Sequence, residues 1–165
     1  MTDSSKGMMV VGGIGCIIWL AGGITCMFIA SVGDIILGIG ILIASFGVIG
    51  LWQRTKESIA MFSFLMKLIG GIFIMIAGIL ILANIGVSGT IASIGQFILG
   101  IGLIFLGLVM NKHGSGLGVR NILGQDLVFP AVIASIASGC AVMGAAVAVT
   151  IPVAVVFSAI FLLAK

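Results

Sequence analysis

Charge is what this chain has least of. Asp, Glu, Lys and Arg make up 7% of its 165 residues, against roughly a quarter in a soluble domain. There is one histidine, no tyrosine, two prolines, three cysteines and four acids. Each shortage removes a class of function. A nucleic-acid surface needs clustered basic residues, and here a net charge of +3 is scattered over single positions. Acid–base catalysis needs two titratable groups brought together, but the four acids are spread over different loops and supply no acid–base pair on sequence grounds. No residue near His113 has metal-ligand spacing. Catalytic, cofactor-binding and metal-binding residues are therefore expected to be absent. Cys16, Cys26 and Cys140 sit in apolar runs without a C-x-x-C pair and read as small packing residues. The run Gly114-Ser115-Gly116-Leu117-Gly118 lacks the strand and lysine of a phosphate loop and reads as a flexible linker.

What the chain has in excess is apolar surface. It is 62% hydrophobic with a mean hydropathy of +1.49, more than a soluble domain of this size can cover. The expected fold class is an all-α integral membrane protein forming one transmembrane domain. Apolar runs at 8–30, 35–52, 68–85, 91–110, 127–149 and 151–164 predict five or six membrane segments. The uncertain count comes from the last stretch. As one helix, 127–164 would be about 57 Å long, well beyond a hydrocarbon core of about 30 Å. Thr150-Ile151-Pro152 is the favoured break, with a capping residue and a first-turn proline. Ser138-Gly139 is the competing one.

An internal repeat organises the rest. Ser31-Val32-Gly33 is followed by Ile36-Leu37-Gly38-Ile39-Gly40, and sixty-two positions later Ser93-Ile94-Gly95 is followed by Ile98-Leu99-Gly100-Ile101-Gly102. Turns at 31–34 and 84–90 make each copy the second half of a glycine-rich hairpin, spanning about 10–52 and 66–110. Two hairpins that each cross twice keep the same orientation and are expected to be parallel repeats. Gly33, Gly40 and Gly47 recur every seven residues, as do Gly95 with Gly102 and Gly100 with Gly107. Seven residues is close to two turns, so each series forms a nearly straight seam for close helix approach. Ala137, Ala141 and Ala145 form a four-residue series of the same kind. Asp34 and Gln96, equivalent in the repeat, are expected near each other at one surface.

The apolar piece 59–66 reads as interfacial or as the first turns of the third helix, with the Lys67 head snorkelling to the lipid headgroups, because the apolar run 68–85 suffices to span without it. A functional lysine inside the membrane is the sharper alternative. Lys6, Arg54, Lys56, Lys67, Lys112 and Arg120 all fall on one face of an even-membered topology, and Lys165 joins them if there are six crossings. The positive-inside bias then predicts a cytoplasmic N-terminus.

Glycine-rich paired hairpins over about 12–110 resemble, in composition and rhythm, small multi-hairpin membrane families such as the HdeD acid-resistance proteins. That resemblance carries no function or residue role across. The expected function is an accessory or scaffold subunit of a membrane complex, or a homo-oligomer. Its partners would be membrane lipids and other transmembrane subunits or copies of itself, and no nucleic acid. The alternative is a channel or facilitator for small solutes, lined by Ser45, Ser63, Asn84, Ser88 and Gln96.

Overall fold

The computed structural model describes residues 3–117 and 126–164, and the described residues are helices joined by turns. Helix α1 covers Asp3–Cys26, α2 Ala30–Thr55, α3 Ser58–Leu82 and α4 Ser88–His113. Two shorter helices follow, α5 at Val128–Val142 and α6 at Ile151–Leu163. A 3-10 turn at Gly114–Leu117 extends α4, and another at Val147–Thr150 leads into α6. The first four are long and apolar enough to cross a membrane, which is compatible with a multi-pass membrane protein. At 1.5 Å per residue they measure about 36–39 Å. Arg120, Lys165, Gly118 and Gly124 lie outside the described residues.

Hydrocarbon offers a peptide group no hydrogen-bond partner, so an apolar run satisfies its backbone internally as a helix. That rule drives helices further into the turns than hydropathy suggests. The first connection shrinks to residues 27–29, closed by Ile29 N–H on Thr25 O at 2.8 Å, so Ser31–Asp34 belong to α2. Residues 88–90 likewise belong to α4. Two of the ends use left-handed residues. Lys56 at φ 56° caps α2 with its N–H on Trp52 O, and Asn84 at φ 56° follows α3. Asparagine tolerates that region well; lysine does so less often.

Two further expectations are corrected. Helix α3 begins at Ser58, ten residues before the apolar run at 68, which moves Lys67 from its edge into its body. The last stretch breaks at residues 143–146, earlier than Thr150-Ile151-Pro152, and Ser138-Gly139 is continuous helix. Pro152 still sits in the first turn of α6, where its missing N–H costs nothing.

Each helix packs on its neighbours in the chain, and α6 returns onto α1, so the six form a closed circuit. The contact between α5 and α6 is the smallest of the six. The interior holds the largest sealed side chains, among them Trp19, Lys67, Phe157, Phe161 and Met9. The connection at 56–57 and the end of α4 share one charged end with the start of α1; the turns at 27–29 and 83–87 share the opposite end.

Candidate functional site

Glycine sets where the helices meet. A Cβ added to Gly22 would lie 2.3 Å from Leu37 N, one on Gly33 2.3 Å from Cys26 N, and one on Gly40 2.3 Å from Trp19 N. These are backbone-to-backbone contacts that no other residue allows. A Cβ on Gly47 would lie 2.6 Å from the Phe161 ring of α6, and one on Gly12 of α1 would lie 2.3 Å from Gly47 Cα. In the second hairpin Gly95 lies against Phe73 and Ile74, and Gly102 against Met66 and Lys67. Gly100 and Gly107 look the other way, onto Gly139 and Met143 and onto Ile136 of α5. The alanine series behaves differently. Ala137 and Ala141 are exposed on the outer face of α5, and Ala145 lies in the turn beyond it, where a four-residue period no longer marks one face. Within the chain, α5 uses Ser135 and Gly139 instead.

The crossing at Gly102 carries the chemistry. Lys67 is the tenth residue of α3, about 14 Å in from its charged end, and is 1% exposed. It does not snorkel. Its stem crosses Gly102, where an added Cβ would come within 3.1 Å of Lys67 Cγ, so glycine makes room for it. The ammonium ends over the Trp19 ring, 5.4 Å from the centroid. Trp19 Nε1 donates to Thr150 Oγ1 at 2.9 Å, and Thr150 donates on to Val147 O at 2.7 Å. Cys16, one turn before Trp19 and fully buried, is close enough to interact electrostatically with Lys67. The cluster thus ties α1, α3 and the start of α6 together.

No carboxylate among the described residues answers the lysine. Among the described residues, no hydrogen bond or ion pair reaches its ammonium, and Asp34 takes the Cys26 thiol instead, at 3.3 Å. No hydrogen bond joins Asp34 to Gln96 among the described residues. A cation at the centre of a membrane helix costs about 3 kcal/mol on insertion scales. A desolvated cation–π contact returns about 2 kcal/mol.

The suggested polar lining does not line one path. Ser45 donates to Ile41 O at 2.8 Å and Ser63 to Gly102 O at 2.7 Å, both fully buried and turned into backbone. Asn84 is exposed beyond α3, and Ser88 opens α4. An open apolar groove of about 320 Å³, lined by Ser58, Ile59, Phe62 and Phe105, lies between α3 and α4.

At the charged end, Glu57 receives Lys112 and His113, the latter at 2.9 Å. The Lys112 hydrogen bond, then the His113 one, hold its carboxyl below the usual glutamate range. His113 is therefore a clamp between the 56–57 connection and α4.

Sequence reasoning placed Lys67 at the membrane surface, although a signal for its true place was present. Leu20-Ala21-Gly22-Gly23-Ile24 returns forty-eight positions on as Leu68-Ile69-Gly70-Gly71-Ile72. Trp19 and Lys67 precede these runs and hold the same place in them. The contacts repeat with the letters: Gly22 meets Leu37 as Gly70 meets Leu99, and Gly40 meets Trp19 as Gly102 meets Lys67. A fainter third copy, Ile136-Ala137-Ser138-Gly139-Cys140, follows Ser135. Gly23, Gly71 and Gly139 each receive an isoleucine from a neighbouring helix, Ile151 of α6, Ile41 of α2 and Ile104 of α4.

The chain matches no known protein family, no curated protein and no solved structure.

Proposed function

We propose that this protein is a non-enzymatic polytopic membrane module that works by lateral association, as an accessory or scaffold subunit or as a homo-oligomer. In this reading the three hairpins are parallel repeats arranged in a ring, with the N-terminus cytoplasmic because the basic residues gather at the charged end. One observation supports association above the others. The end of α5 packs at Gly100, where an added Cβ would lie 2.7 Å from Met143 Cγ. Gly100 lies twelve residues, about 18 Å, from the start of α4 at the opposite end. Residues 144–146 that follow are exposed and non-helical. Backbone of that kind at membrane depth needs protein or water around it, because lipid cannot hydrogen-bond to it. Ala137, Cys140 and Ala141 continue the same exposed face with side chains small enough for another helix to approach.

Cys140 makes the reading testable, since Cys16 is buried and Cys26 only partly exposed. In native membranes, a thiol cross-linker should join Cys140 to another copy or to a second subunit, and Cys140→Ser should abolish the adduct. A protein that purifies in mild detergent as a lone monomer, with Cys140 freely labelled in the membrane, would overturn it. The second reading, a facilitator for small solutes, is favoured by one observation only, the sealed charge of Lys67 inside the ring. Solute flux into reconstituted vesicles no faster than into empty lipid removes that reading.

A further inference from the structure

We propose that Lys67 is the charged centre of a binding site for a small inorganic anion of the halide class, inside the helix ring beside the Lys67 ammonium. The inference stands apart from lateral association and survives its failure.

The ammonium has three N–H donors and no acceptor among them. Lys67 is 1% exposed, and among the described residues its ammonium lies over the Trp19 ring at 5.4 Å, with the Cys16 thiol also in electrostatic reach. The hydroxyls of Ser63, Ser135 and Thr150 donate to Gly102 O, Leu103 O and Val147 O, and a hydroxyl oxygen brings no counter-charge. Trp19 spends its own N–H on Thr150. The ring face supplies attraction but not a counter-charge, and a buried ion left without one is strongly unfavourable. A partner subunit cannot supply it, because the side chain is enclosed by this chain's own helices. A water molecule would accept a hydrogen bond and leave the charge standing. A diffusible monovalent anion does both.

The repeat argues in the same direction. Trp19, Lys67 and Ser135 occupy one place in the three copies, and all three are sealed, at 0%, 1% and 0% exposure. Around them the packing residues are kept, with Gly23, Gly71 and Gly139 each under an isoleucine. The inner position changes from indole to ammonium to hydroxyl, and lysine is among the residues hydrocarbon tolerates least.

The test uses the purified full chain in detergent, titrated with sodium chloride against sodium gluconate at constant ionic strength. The expected result is a saturable rise in the thermal midpoint with chloride, about 5 °C at saturation. Lys67→Met should abolish the rise, and Lys112→Gln at the surface should leave it intact. A midpoint that does not distinguish chloride from gluconate overturns the proposal, as does an equal rise in Lys67→Met. Should Lys67→Met fail to fold, a Trp52→Phe protein leaves Trp19 as the single indole. Iodide should then quench its fluorescence saturably, with chloride competing. Quenching that stays linear and unaffected by chloride counts against the site.

Discussion

The first two hairpins meet in one register but at different distances. A Cβ placed on Gly22, Gly33 or Gly40 would reach the opposite backbone nitrogen at 2.3 Å in each case. At the matching Gly70, Gly95 and Gly102 the distances are 2.9, 3.1 and 3.1 Å. The reason lies in what faces those seams. Gly12 and Gly15 of α1 oppose Gly47 and Ala44, whereas the matching places in α3 are Ala60 and Ser63. Larger residues hold α3 and α4 apart, and the width gained accommodates a lysine stem over Gly102. The tight hairpin is a fastening, and the looser one has room for chemistry.

The comparison can be broken most violently at the fastening. Gly40→Ala drives a Cβ into the Trp19 backbone, with nothing flexible to yield. It should cost about 3 kcal/mol or more, while Gly102→Ala, which needs shifts of tenths of an ångström, should cost about 1 kcal/mol. Unfolding in detergent–denaturant mixtures reads both, and equal losses would dissolve the distinction between the hairpins.

Next comes the cluster at the wide crossing, where the two partners should respond with opposite signs. Trp19→Phe removes the hydrogen bond to Thr150 and weakens the cation–π contact, for a loss of about 2 kcal/mol. In gluconate, with no halide to compensate the charge, Lys67→Met replaces a buried ammonium with an apolar chain of similar length, and should raise stability by about 1 kcal/mol. A large loss in Lys67→Met would mean that the ammonium is fully compensated inside the chain. Ser63→Ala breaks the bond to Gly102 O and should cost about 0.6 kcal/mol, the mean for such bonds in membranes.

The smallest effect belongs to the charged end. Glu57 has a carboxyl pKa lowered by Lys112 and His113, so its clamp is fully in place above the ordinary glutamate value of 4.5 and fades as pH falls through the lowered one. Acid melts of wild type and Glu57→Gln should therefore converge at low pH and separate above it. The gap will be narrow because Lys112 is well exposed. A Glu57→Gln protein as stable as wild type at pH 7 shows that the clamp contributes nothing.

Membrane class and the existence of every long helix were legible in hydropathy, since lipid forces an apolar run into a helix. Glycine spacing did not say what each glycine touches. Gly100 and Gly102 differ by two letters yet face α5 and α3 respectively. Lys67 was misplaced for a physical reason. Its long stem was expected to carry the head out to the surface, but Ser58–Met66 in front of it is helical and the stem turns inward across Gly102. Reading the L-x-G-G-I copies would have set Lys67 beside Trp19 in depth. Ala145 failed because periodicity was extended past a turn that no proline or charge announces.

The account rests on the circuit of hairpins being closed by α6 against α1, which seals Trp19 and Lys67 inside. Gly13 and Leu162 test it most directly, since a Cβ on Gly13 would lie 2.6 Å from Leu162 Cγ. In a background with the native cysteines replaced, Gly13→Cys with Leu162→Cys should form an intramolecular disulfide in native membranes under mild oxidation. The more distant pairing of Gly13→Cys with Phe129→Cys should not. A Gly13–Leu162 pair that stays reduced, in protein that inserts normally, would contradict the closed ring.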